Sequence, residues 1–270
     1  MQSLEKGQIM LIVVLVMVTA LTVALSVAAR SITNTRSSEE DANSEQAFSA
    51  AEAGIEKSLT SNSAVTGSFL NSAKYQTTIV TVGGVEFSLN NGSPVLKDEP
   101  ADVWLSTYPG YTAQRTGNIT IYWGTSSDTC NTNEANNTMA ALEIIVFSGT
   151  LANPQTTRHA VDPCAARSLV NKFQNIGVGG DTVSGVAYNF KTSFTVTNGL
   201  FVRIIPLYAP TLLAARGCDG ANANCTPFPT QGTLIQSVGT AANTKRKIQT
   251  YRYYPQLPAE LLQYSFFIPK

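Results

Sequence analysis

The sequence predicts an α+β protein: a long N-terminal helix, transmembrane in its first half and amphipathic in its second, packed on an antiparallel β-rich head. Three observations predict it. Residues Ile9 to Ala29 make an uncharged apolar run of 21 positions bounded by Lys6 and Arg30. No proline occurs before Pro94, and Gly7 and Gly54 are the only glycines before Gly67. Beyond about Ser61 come all twelve prolines and most glycines, and the apolar periodicity drops to two.

The apolar run, at 1.5 Å per residue, gives a helix about 31 Å long, enough to cross a bilayer core. Without a breaker, helix is expected to continue from Ile9 to about Leu59, roughly 75 Å in all. Soluble helices average about 11 residues, so this length calls for a function. In the second half, Phe48, Ala51, Ile55 and Leu59 recur at three- and four-residue steps and define a stripe for docking on the protein's own sheet. Glu45, Glu52 and Glu56 share an arc away from it, and Ala47, Ala50, Ala51, Ala53 and Gly54 keep the remaining surface small enough for close approach.

In the head, Tyr75–Val82 and Val85–Asn90 flank Gly83-Gly84 and predict a hairpin. Asn118–Trp123, Ala141–Phe147, Val186–Val196, Leu200–Tyr208, Lys245–Tyr254 and Gln263–Ile268 also read as strands. In Val186–Val196, residues Val186, Tyr188, Phe190, Phe194 and Val196 share one face. Strands without intervening helical patterns imply an antiparallel sheet.

Charged residues are 13% of the chain, about half the usual share, and Lys plus Arg balances Asp plus Glu at 18 each. A neutral chain exerts no general pull on nucleic acid or acidic lipid. The four cysteines, Cys130, Cys164, Cys218 and Cys225, form no C-x-x-C pair, which argues against a four-thiolate zinc site. An even count in an exported domain favours two disulfides, with three possible connectivities. Cys218–Cys225 and Cys130–Cys164 are preferred because both close local loops, which loop entropy values at about 2.5 and 4 kcal/mol.

Three readings compete for the first thirty residues. A cleaved secretory signal would use Ser26-Val27-Ala28, but the n-region holds one lysine beside Glu5 and the apolar run is long for an h-region. A plain signal anchor would hold an unrelated extracytoplasmic enzyme or binding domain at a membrane. The third reading is a short charged leader ending at a glycine directly before the apolar run. Glu5-Lys6-Gly7 followed by Gln8-Ile9-Met10-Leu11-Ile12-Val13-Val14 resembles a prepilin peptidase site. Gln46-Ala47-Phe48-Ser49-Ala50-Ala51-Glu52-Ala53-Gly54-Ile55-Glu56 resembles the alanine-rich helix of the PilX N-terminal family of minor pilins.

The resemblance covers about the first 60 residues and implies a pilin-like layout: leader 1–7, transmembrane half-helix 8–30, extracytoplasmic half-helix 31–62 and head 63–270. It implies cleavage between Gly7 and Gln8 and N-methylation of the mature chain. Its implied partners are prepilin peptidase, an inner-membrane assembly platform and other pilins met through the N-terminal helix. The chain would be a structural subunit of a type IV pilus or pseudopilus, held in the cell membrane and then carried into an extracellular filament. Ile12 stands where major pilins carry the glutamate thought to neutralise a neighbouring subunit's N-terminal amine. A subunit without that acid suits a place with no subunit ahead of it, the filament tip. Within the membrane, Thr19, Thr22 and Ser26 lie on one side of the helix, and their hydroxyls are expected to bond back to its own carbonyls.

Little in the head reads as chemistry. The single histidine, His159, reads as a polar-loop residue, and no G-x-S-x-G, P-loop or H-E-x-x-H element appears, so no enzyme activity, metal or cofactor is expected. Asp219 to Asn224, with one carboxylate, reads as a disulfide-pinned turn and not a calcium loop. Lys245, Lys247, Tyr251 and Tyr253 would share one face of a strand, read as solvated with no nucleic-acid partner expected.

Overall fold

The computed structural model describes residues 4–131, 137–218 and 224–254, with side chains described from residue 10 onward. The predicted long helix is one continuous element, α1, over Leu4–Ser61. The strands are β1 (Thr66–Ser68), β2 (Lys74–Gly84), β3 (Glu86–Ser88), β4 (Ala101–Trp104), β5 (Arg115–Trp123), β6 (Ala141–Thr150) and β7 (Asn153–Asp162). A short helix α2 (Ala165–Asn171) follows, then β8 (Gln174–Asn175), β9 (Thr182–Val183) and β10 (Val186–Ala187). The last four are β11 (Phe190–Leu207), β12 (Leu213–Arg216), β13 (Phe228–Ala241) and β14 (Thr244–Tyr253). The predicted strand Gln263–Ile268 lies outside the described residues.

The chain forms two compact units. The first comprises residues through Ile79 together with Ile235–Thr250. Its sheet has the order β1-β2-β13-β14, with β2 and β13 supplying residues to both units. Strand alternation turns Ile235, Ser237, Gly239 and Ala241 of β13, and Tyr75 and Thr77 of β2, inward. The second half of α1 buries Ala47, Ala50, Ala51, Gly54, Ile55 and Ser58, residues at helical spacing. The docking face keeps Ala51 and Ile55 of the predicted stripe but not its two largest members: Phe48 and Leu59 are 47% and 38% exposed. Small residues win because the backbones meet closely. A Cβ at Gly239 would overlap the Ala47 carbonyl oxygen and stand 2.6 Å from the Ala51 nitrogen, and one at Gly54 would strike Ser237 Oγ. A buried polar pair in the seam is satisfied: Ser58 Oγ and Thr77 Oγ1 lie 2.7 Å apart, and Thr77 Oγ1 donates to the Val65 carbonyl.

The second unit, Val80–Leu234 and Tyr251–Lys270, holds an eight-stranded sheet ordered β3-β12-β5-β11-β6-β7-β8, with β4 also pairing β11. Its described pairings are antiparallel except β7 with β8. The expected hairpin at Gly83-Gly84 does not form. β2 joins β1 and β13, whereas β3 pairs β12 through Phe87 and Ala215. Gly83 and Gly84 take φ of 150° and 112°, a conformation open to glycine that redirects the chain without folding it back. The two strands expected at Val186–Val196 and Leu200–Tyr208 largely merge into the 18-residue β11, whose register shifts between Val196 and Phe201 absorb Asn198-Gly199. Only Val186–Ala187 stands apart, as β10 paired with β9.

One face of this sheet carries the main core: Trp123, Ile121, Ile144, Val146, Val202 and Ile204 among others. Both expected disulfides are present, Cys130–Cys164 and Cys218–Cys225. Arg115 fastens the chain beside the second, donating from Nη1 to the Thr226 and Pro227 carbonyls and from Nη2 to that of Gly217.

Candidate assembly surface on the N-terminal helix

From Met10 to Ile32 every side chain of α1 is exposed, and this stretch holds a mean hydropathy reaching 2.8. Its valines, leucines and methionines are 51–72% exposed, with no cover among the described residues. An exposed apolar surface this long is of the kind that suits hydrocarbon better than water. The helix is long and apolar enough to cross a bilayer, and two disulfides suit a head on the oxidising side.

The hydroxyls inside this stretch are internally satisfied. Thr19 Oγ1 donates to the Val16 carbonyl at 2.9 Å and Thr22 Oγ1 to that of Thr19 at 2.8 Å. That matches the expectation for the two threonines and leaves them apolar outward faces. Ile12 is 57% exposed within this apolar stretch. Gly7 and Gln8 lie within α1, before the described side chains.

Above the apolar stretch the surface becomes polar. Arg36, Glu39, Glu40 and Asp41 line a groove of about 500 Å³ with Arg246, which donates from Nε and Nη2 to Ser44 Oγ at 2.8 and 2.6 Å. A second groove, of about 710 Å³, runs along the helix flank between Ala42, Gln46, Ser49 and Ala53 and the exposed pair Phe69 and Leu70. Sequence reasoning missed this wall, since Phe69-Leu70 is too short an apolar run to show a period. The exposed Glu45, Glu52 and Glu56 face outward as expected.

The head residues considered for chemistry are dispersed. His159 lies in strand β7 and not in a loop. It pairs with Ile144 and stacks on Phe194 at 5.1 Å, and burial holds its imidazole below the ordinary histidine range. Lys245, Lys247, Tyr251 and Tyr253 alternate along β14, with both lysines exposed. Residues 219–223 of the Asp219–Asn224 turn lie outside the described residues. Among the described residues, no group of three or more His, Cys, Asp or Glu is arranged to hold a metal. Comparison with protein-family models, curated proteins and solved structures finds no match.

Proposed function

We propose that the chain is a membrane-anchored filament subunit: the apolar half of α1 holds it in a bilayer before assembly and becomes helix-packed core afterwards. More particularly, it is a minor pilin or pseudopilin related to the PilX N-terminal family, placed at the filament tip. The observation that carries this reading is the single helix over Leu4–Ser61, bare and apolar in its first half and docked on its own sheet in its second. A signal peptide needs no such continuation, and a plain anchor needs no rigid connection to the sheet.

The tip assignment rests on Ile12. A buried amine in a filament core is costly without a carboxylate, and a subunit lacking the acid cannot dock onto a preceding subunit's amine by that pairing. The Gly7–Gln8 junction is the processing site in this reading, prepilin peptidase the first partner and an inner-membrane platform the second. Intact mass and N-terminal peptide mapping of the chain from its native membrane test it. A mature chain starting at Gln8 with an added methyl group is expected, and a start near Ala29 overturns the proposal. Immunogold labelling spread along the filaments would overturn the tip placement alone.

A further inference from the structure

The second unit holds a cavity of about 180 Å³, bounded by β3, the start of β4, Gln231 of β13 and the end of β14. Its walls carry four aromatic rings, those of Phe87, Trp104, Tyr253 and Tyr254. Neighbouring rings hold them in place before any ligand arrives. Tyr254 stands edge-on to Trp104 at 5.5 Å, Phe87 edge-on to Phe228 at 5.4 Å, and Tyr253 lies nearly parallel to Tyr251 at 5.9 Å. Gln231 fixes the Trp104 backbone, accepting from its nitrogen at 2.7 Å and donating to its carbonyl at 2.9 Å.

The polar part of the lining is unbalanced toward acceptors. Gln231 Nε2 spends its hydrogens on the Trp104 and Pro229 carbonyls, and Asn90 Nδ2 donates to the Pro94 carbonyl. Two carboxylates, Glu99 and Asp102, line the cavity, and among the described residues no lysine, arginine or histidine does. Arg203 already offsets the Asp102 charge, with both contacts at 2.8 Å. Glu99 is exposed, and its carboxylate has no partner among the described residues. We propose that this cavity binds a primary ammonium group carried on a short apolar stem. Aromatic faces attract a cation, a carboxylate pairs with it through charge-assisted hydrogen bonds, and Leu89 and Val95 offer the stem an apolar wall. An anion would meet Glu99 and no opposite charge, and a neutral sugar would leave that charge unused. Nothing in this chemistry depends on the filament role of α1.

Titration of the full chain with n-butylammonium at fixed ionic strength tests the assignment, in phosphatidylglycerol nanodiscs so that no amine headgroup competes. Isotope labelling of the two tryptophan indoles supplies the readout. Trp123, fully buried in the main core with Nε1 donating to the Ala140 carbonyl, is the internal reference. The Trp104 resonance is expected to shift saturably, with a Kd on the order of 1–10 mM, while Trp123 stays in place. Glu99→Gln, a change on an exposed side chain, is expected to weaken binding by about fivefold or more, and tetramethylammonium, which donates no hydrogen bond, to bind about fivefold more weakly than butylammonium. A lysine side chain and a free amine share this chemistry, and Nα-acetyl-lysine amide set beside butylammonium tells the two sources apart. No shift of Trp104 at about 100 mM butylammonium overturns the proposal. Wild-type affinity in Glu99→Gln, or tetramethylammonium binding as tightly as butylammonium, also overturns it. An equal response to glucose overturns it too, and assigns the cavity to a neutral sugar.

Discussion

Gly239→Ala adds one methyl group where the helix and its sheet touch most closely. Intrinsically the change favours folding by about 0.4–1 kcal/mol, because alanine restricts the unfolded chain. Contact reverses the sign. The new Cβ overlaps the Ala47 carbonyl oxygen and lies 2.6 Å from the Ala51 nitrogen, both backbone atoms that no rotamer change can move. Restoring ordinary contact at roughly 3.5 Å with the Ala47 oxygen requires α1 to retreat by about 1.5–2 Å, and a gap of that size forfeits about half or more of the dispersion attraction across the seam. Overpacking of this kind costs about 1–3 kcal/mol, so separation of the helix from the sheet becomes easier by about 5- to 150-fold. Amide exchange of residues 44–58 in the full chain measures it. Gly177→Ala, where a Cβ meets nothing within 4 Å, supplies the control. Ser237→Ala, which removes a buried hydroxyl without a partner, is expected to slow the same amides by stabilising the seam by about 1 kcal/mol. Exchange in Gly239→Ala within twofold of the wild type would refute the close-approach argument.

Two further outcomes concern the second unit. Asp102 holds Arg203 in a bidentate pair with both contacts at 2.8 Å, and the side chains are 3% and 1% exposed. Asp102→Ala is expected to cost about 3–5 kcal/mol by stranding a buried charge, whereas Asp102→Leu with Arg203→Met recovers most of it; urea titration decides, and a loss below about 1 kcal/mol for the single change refutes the pairing's role. His159, held below the ordinary range by burial, is neutral in both states above about pH 6.5, so its contribution is complete there. As pH falls through that value the unfolded chain binds the proton first and stability declines toward the lowered folded pKa. Thermal melts of His159→Phe are expected to lack this decline as pH falls below about 6.5, and an unchanged profile would show that His159 is not its source.

The long helix was legible because its signals are local: an uncharged run, then no proline until Pro94. Its docking face was legible in part: Ala51 and Ile55 of the predicted stripe are buried, and so are Ala47, Ala50 and Gly54, expected to permit close approach, whereas Phe48 and Leu59 stay exposed because the seam is decided by distance between backbones. Strand β13 escaped notice because Gln236, Ser237, Val238, Gly239 and Thr240 alternate small with medium residues, and its inward positions are small for the same reason. Gly83-Gly84 and Asn198-Gly199 carry turn chemistry yet serve as a redirection and a bulge, since long-range partners in β12, β5 and β6 outbid the local preference. The cysteine pairing was readable from loop length. The apolar wall of Phe69 and Leu70 required the tertiary structure.

The stretch of α1 between the apolar run and the docked stripe has a mechanical consequence. Residues 31–42 are exposed on every side, and Arg30 to Ala47, the first buried position, is a rise of about 26 Å. It is a stalk whose stiffness comes from its own helical hydrogen bonds, with Thr33 and Thr35 hydroxyls bonding back to the Ala29 and Ser31 carbonyls. A protease clipping within it would shed the β-rich portion into solution with its covering helix segment, Ala47 to Ser58, still in place. Shaving of intact cells should therefore release a folded fragment beginning in this stretch.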